Sequence, residues 1–170
     1  IENDGNESNS GHVRVYEYSS GSWSQLGSDI DGEARNDESG YSVSLSSDGT
    51  IVAIGAIYNK GNGAYSGHVR VYEYSSGSWI QLGNDIDGEA FNDNSGYSVS
   101  LSSDGTIVAI GAPFNDENGI DSGHVRVYEY DSGTESWVQL GSDIDGEEEV
   151  DESGYSVSLS SDGTIVAIGA

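Results

Sequence analysis

The chain has no cysteine, no methionine, one proline and only five basic residues. Without cysteine there is no disulfide and no thiolate zinc site, and the redox compartment is left open. No apolar run approaches the ~20 residues that cross a membrane as a helix, and no signal peptide stands in this stretch. Five cations (Arg14, Arg35, Lys60, Arg70, Arg126) face thirty acidic residues, for a net charge of −25. Such a surface repels phosphate backbones and anionic lipid, which excludes nucleic acid as a partner and membrane insertion as a mode of action. A chain that opens at Ile1 and lacks methionine reads as a processed piece or an excerpt.

What is present is repetition. The stretch Gly40–Ala56, GYSVSLSSDGTIVAIGA, returns unchanged as Gly96–Ala112 and Gly154–Ala170. Aligning Gly11–Tyr18, GHVRVYEY, with Gly67–Tyr74 and Gly123–Tyr130 divides the chain into units 1–56, 57–112 and 113–170. Each unit opens on a ten-residue linker, and the third carries two extra residues within Asp131–Ser136.

Each unit holds four strand candidates, here numbered in the first. Gly11–Tyr18 alternates His12, Arg14, Tyr16 and Tyr18 with Val13, Val15 and Glu17. Ser22–Leu26 is short and carries one tryptophan. Tyr41–Ser46 puts Tyr41, Val43 and Leu45 on one face and three serines on the other, small enough for a neighbour to pack closely. Ile51–Ala56 is apolar on both faces, the pattern of a strand covered on both sides. Ser47-Asp48-Gly49-Thr50 supplies the turn between the last two. No segment has helical periodicity, so the class is all-β. Four short strands per repeat around a doubly buried strand describe a propeller blade. A stacked β-solenoid is the alternative, but its coils are shorter and lack the recurrent hairpin.

The pattern Gly40-Tyr41-Ser42-Val43-Ser44-Leu45, then Val52-Ala53-Ile54-Gly55-Ala56, then Gly67-His68-Val69-Arg70-Val71-Tyr72 resembles the FG-GAP repeat of integrin-α-type β-propellers. Gly111-Ala112-Pro113 supplies the family's Gly-Ala-Pro element once, where the first unit has Ile57. The resemblance implies a blade ordered Tyr41–Ser46 innermost, then Ile51–Ala56, then Gly67–Tyr74, with the tryptophan strand outermost. It also implies an extracellular or cell-surface module for adhesion or ligand binding. Many members hold calcium between the first two strands; here a tight turn with one carboxylate stands there, too few oxygens for the ~6–8 ligands calcium takes.

That strand order leaves half-blades at the two ends, residues 11–30 and 154–170. Two full blades lie between them. A ring of three blades is too tight, since propellers have ~4–8. The expectation is a homo-oligomer whose terminal halves are completed by other chains. A dimer with six blades comes first, with a trimer or filament as alternatives.

Functional candidates are few. The acidic loop carries Asp29, Asp31 and Asp37, then Asp85, Asp87 and Asp93, then Asp143, Asp145 and Asp151. Alternating carboxylates beside a glycine suit a hard cation, calcium first, although Asp/Gly clusters also serve as plain connectors. The linkers, with Asn3-Asp4 and Asn115-Asp116, are a second candidate, interrupted by Asn59-Lys60 in the middle copy. His12, His68 and His124 each start a strand and read as locally hydrogen-bonded; Arg14, Arg70 and Arg126 read as partners for nearby carboxylates. Trp23, Trp79 and Trp137 are expected to cover the outer strand against its neighbour rather than to stack on a ligand. Asn6-Glu7-Ser8 is a lone glycosylation acceptor. No serine sits in a nucleophile elbow and no phosphate loop is present, so the chain is expected not to be an enzyme. The expected role is a self-assembling adhesion or scaffolding module; the alternative is a cation-dependent propeller that binds a protein or glycan.

Overall fold

The computed structural model describes residues 7–170, and among them there are sixteen strands and no helix. The first unit gives β1 (His12–Val13), β2 (Tyr16–Ser19), β3 (Ser22–Gln25) and β4 (Ile30–Asp31). A full blade follows: β5 (Ser42–Leu45), β6 (Ile51–Ala56), β7 (His68–Ser75), β8 (Ser78–Gln81) and β9 (Ile86–Asp87). The second full blade is β10 (Ser98–Leu101), β11 (Ile107–Ala112), β12 (His124–Asp131), β13 (Ser136–Gln139) and β14 (Ile144–Asp145). A hairpin, β15 (Ser156–Leu159) and β16 (Val166–Gly169), ends the chain.

The blade order is β5-β6-β7-β8, antiparallel throughout, and β10-β11-β12-β13 repeats it. The fold is thus a β-propeller built of four-stranded blades, as the strand pattern implies. One feature adds to that pattern. Ile86-Asp87, inside the acidic loop, pairs with Val69 and His68 as a fifth short strand, and Ile144-Asp145 pairs likewise with Val125 and His124. The long third strand outruns the outer strand, whose ladder ends at Tyr72↔Gln81. Its free edge is taken up by the loop, which satisfies backbone groups that burial would otherwise strand.

The core lies between blades. Ala53, Val69, Val71 and Ile86 of the first blade pack on Leu101, Val108, Ile110 and Tyr128 of the second. Ile30 meets Val52, Ile54 and Tyr72 at the preceding junction. The serine face is used as its size suggests. Ser42 Oγ donates to the Gly96 carbonyl at 2.6 Å, and Ser44 Oγ accepts from the Leu101 amide at 3.0 Å. Ser98 and Ser100 do the same for Gly154 and Leu159. Tyr97 lies between Tyr41 and Tyr155, with centroids 5.0 and 4.7 Å away, so the starts of the innermost strands are linked by an aromatic row.

Trp79 Nε1 donates to the Leu26 carbonyl and Trp137 Nε1 to Leu82, both at 2.8 Å, so the tryptophans do clamp neighbouring units. Each inner hairpin is closed by its aspartate: Asp104 Oδ1 accepts from Ser102 Oγ, the Thr106 amide and Thr106 Oγ1. Those bonds, the Ser102 hydroxyl first, hold its carboxyl below the usual range. Asp48 is engaged in the same way, which leaves no calcium loop at that turn. Asp104→Ala removes all three bonds from one exposed turn, and thermal melting should fall by about 2–4 °C.

Candidate functional site

The chemistry gathers where the acidic loop of one unit meets the third strand of the next. That strand starts with His-Val-Arg, and alternation places His68 and Arg70 on one face. Both face the preceding unit. Arg70 Nη2 donates to the Asp31 carbonyl at 3.2 Å, and Arg70 Nη1 pairs with Glu33 at 3.4 Å. Arg126 repeats this with the Asp87 carbonyl and Glu89, both at 3.2 Å. The arginines therefore pair with carboxylates, across the junction.

The histidines do something else. His68 and His124 are each about 1% exposed, and Nδ1 of each is buried with no hydrogen-bond partner. His68 Nδ1 lies 3.5 Å from Asp85 Oδ2, and His124 Nδ1 lies 3.5 Å from Asp143 Oδ2 and 4.0 Å from Glu89 Oε2. His12 Nδ1 is buried and without a hydrogen-bond partner as well, but its Nε2 accepts from Arg14 Nε at 3.0 Å. The expectation of a locally bonded histidine thus fits His12, whereas the other two turn their Nδ1 toward carboxylates. Burial drives both imidazoles down to about 4, so they are neutral near pH 7. Burial also raises the Glu33 and Glu89 carboxyls, against the pull of Arg70 and Arg126 respectively.

Two groups of side chains converge closely enough to share a metal ion: Glu33, His68 and Asp85, and Glu89, Glu117, His124 and Asp143. In each group the ligand atoms all lie within 4.8 Å of one another. The nine loop aspartates are thereby divided. Asp85 and Asp143 join these groups, with their Oδ1 atoms held by Gln81 and Gln139. Asp29 is held by Gln25 and stands 3.9 Å from Arg14. Asp31, Asp87 and Asp145 lie on the short strands β4, β9 and β14. Asp37 and Asp93 are buried and accept from Asn59 and Asn115, while Asp151 accepts from the amides of Glu147 and Glu148. Burial raises the carboxyls of Asp37 and Asp93 above their usual range.

The linkers brace themselves. Asn115 Oδ1 accepts the Glu117 amide and Asp116 Oδ1 the Asp121 amide. Asn3-Asp4 and the glycosylation acceptor Asn6 lie outside the described residues. In the sequence Glu33 and Glu89 belong to the acidic loop whose aspartates are the named ligand candidates, whereas Glu117 lies in a linker and both histidines read as locally bonded. The available signal was the recurrent Asp-Gly-Glu one unit ahead of each His-Val-Arg. Recognising it requires knowing that the two meet across a junction and not on the ring axis.

Two solved structures share the fold. A candidate 6-phosphogluconolactonase from Bacteroides fragilis superposes with a TM-score of 0.57 at 12% identity, over 96% of this chain and 38% of that one. Another, from Bacteroides uniformis, gives 0.59 at 10% identity, over 94% of this chain and 41% of that one. The chain spans about two fifths of their length. No curated protein sequence matches it. The FG-GAP repeat profile matches residues 29–72 and 86–128, each match running from an acidic loop into the third strand of the next unit. These two stretches make up half of the sequence, and the chain belongs to the FG-GAP repeat family.

Proposed function

We propose that this chain is a non-enzymatic, extracellular propeller module that assembles with copies of itself through its half-blades, for adhesion or scaffolding. One observation carries the reading: the same residues are exposed at the ends and covered in the middle. Tyr16 is 44% exposed, whereas its equivalents Tyr72 and Tyr128 are 8% exposed. Ile165 is 69% exposed, whereas Ile51 is packed against the core and Ile107 is half-buried. Trp23 is 68% exposed, while Trp79 and Trp137 bond the unit before them.

The open edges match each other. In the full blades Ile51 pairs with Glu73 and Ala56 with His68. The same register would pair Ile165 with Glu17 and Ala170 with His12 of a second copy. Hydrogen bonds unmade on both edges favour such an addition. Two chains make six blades, within the ~4–8 that close, whereas three chains exceed that range. The non-enzymatic reading rests on the serines, whose inner-strand hydroxyls are committed to backbone carbonyls and amides of the next blade.

Light scattering at micromolar concentration should give twice the mass of one chain. A monomer would sink the assembly, and a trimer or polydisperse filament would sink the closed dimer. Gly169→Ala should weaken assembly at least tenfold and leave the chain folded. In this chain a Cβ there meets only Ser156, but at the internal equivalents Gly55 and Gly111 it meets the next blade's backbone.

A further inference from the structure

We propose that His124, Glu89, Glu117 and Asp143 form a zinc-class metal site that staples the two full blades together, one ion per chain. Glu89 follows β9 of the first full blade, while His124 on β12 and Asp143 ahead of β14 belong to the second. Glu117 comes from the linker between β11 and β12. An ion held by all four would cross the junction.

The geometry favours co-ligands over a hydrogen bond. Metal–ligand bonds of ~2.1 Å in a tetrahedron put ligand atoms about 3.4 Å apart. Asp143 Oδ2 stands 3.5 Å from His124 Nδ1, and Glu89 Oε2 stands 4.0 Å from it. The buried nitrogen has no other partner. Its environment is also prearranged. Arg126 Nη1 binds Glu89 Oε1, and Gln139 donates to Asp143 Oδ1, so the second oxygen of each carboxylate is the one left facing the imidazole. Three carboxylates, one guanidinium and a neutral imidazole leave an excess of two negative charges, which a divalent ion cancels. A nitrogen ligand and a small ligand set suit zinc and its neighbours better than calcium, which takes ~6–8 oxygens.

The sister group is the built-in comparison. There Gly61 stands where Glu117 does, and Lys60 where Asp116 does. Glu33, His68 and Asp85 thus have one ligand fewer and a cation close by, so the strong site is single.

The test is calorimetric titration of the EDTA-stripped chain with zinc, with cobalt(II) absorption as the spectroscopic readout. We expect one zinc per chain, cobalt d–d bands of a four-coordinate site, and no displacement by a hundredfold excess of calcium. Glu117→Gly, which copies the sister junction on an exposed linker, should weaken binding at least tenfold, and His124→Asn should abolish it. The pair Lys60→Asp with Gly61→Glu should add a second site. Absence of zinc binding, affinity unchanged in Glu117→Gly, two equal ions in the parent chain, or displacement by calcium would each overturn the proposal. Because Glu117 is exposed, its variant folds whatever becomes of the histidine variant.

Discussion

Gly111→Ala is expected to destabilise the chain by about 3 kcal/mol or more. The backbone at Gly111 is ordinary strand, so the loss comes from crowding alone. A Cβ there would sit 2.0 Å from the Gly154 carbonyl oxygen and 2.5 Å from Ser98 Oγ. That oxygen is the acceptor of the Ser98 hydroxyl, the bond that seats the last inner strand on the second blade. The neighbour cannot yield by rotating a side chain, because it is backbone, and moving it disturbs the junction. Gly169→Ala is the matched comparison. It occupies the same place in the repeat, but meets only Ser156 on its own hairpin, most closely the Oγ at 2.5 Å. Urea unfolding of the isolated chain should show Gly111→Ala with a far lower midpoint and Gly169→Ala close to the parent. Equal losses would mean that the glycines serve strand flexibility and not close approach of blades.

This contrast explains what could be read from the residues. The blade order was legible because each strand carries its own pattern: serines opposite Val43 and Leu45, and apolar residues on both faces of Ile51–Ala56. The half-blades followed from the strand order alone. Of the nine loop aspartates only Asp85 and Asp143 fall in the convergent groups, because within-unit spacing is the only distance the sequence supplies. Asp29, Asp31 and Asp37 are close in the chain, yet a two-residue strand separates their directions and Asp37 turns inward to Asn59. Glu89 and His124 are far apart in the chain and adjacent in space, because every junction sets the end of one unit against the third strand of the next. Of the four differences between the first two units after their linkers, Ser24/Ile80, Ser28/Asn84 and Arg35/Phe91 are exposed, Glu38/Asn94 puts a buried Asn94 on the Ile57 carbonyl, and none is a member of the convergent groups. Gly61 against Glu117 is the difference that bears on them, and it sits in the linkers, the least regular part of each repeat.

Stability in EDTA should fall as pH drops from 6.5 toward 4, and His68 should account for a separable share of that fall. Burial lowers its imidazole to about 4, against Asp85, which raises it, and together with Arg70, which lowers it further. An unfolded histidine titrates near 6.5, so acid favours the unfolded chain throughout that interval. The contribution of a neutral His68 is complete above pH 6.5 and is lost as pH falls through 4, on the order of 3 kcal/mol in all. The carboxyls around it act in the opposite sense. Glu33 and Asp87 beside it, and Asp37 further along the loop, are raised by burial, so protonating them favours the folded chain as pH falls. The two effects oppose each other wherever the raised carboxyls titrate, so the histidine has to be isolated by substitution. His68→Asn isolates it: the variant is less stable at pH 7.5, but its stability should vary less steeply between pH 6.5 and 5 than that of the parent. Parallel pH profiles for the two chains would show that His68 is protonated in the folded state already, paired with Asp85 as an ordinary ion pair across 3.5 Å.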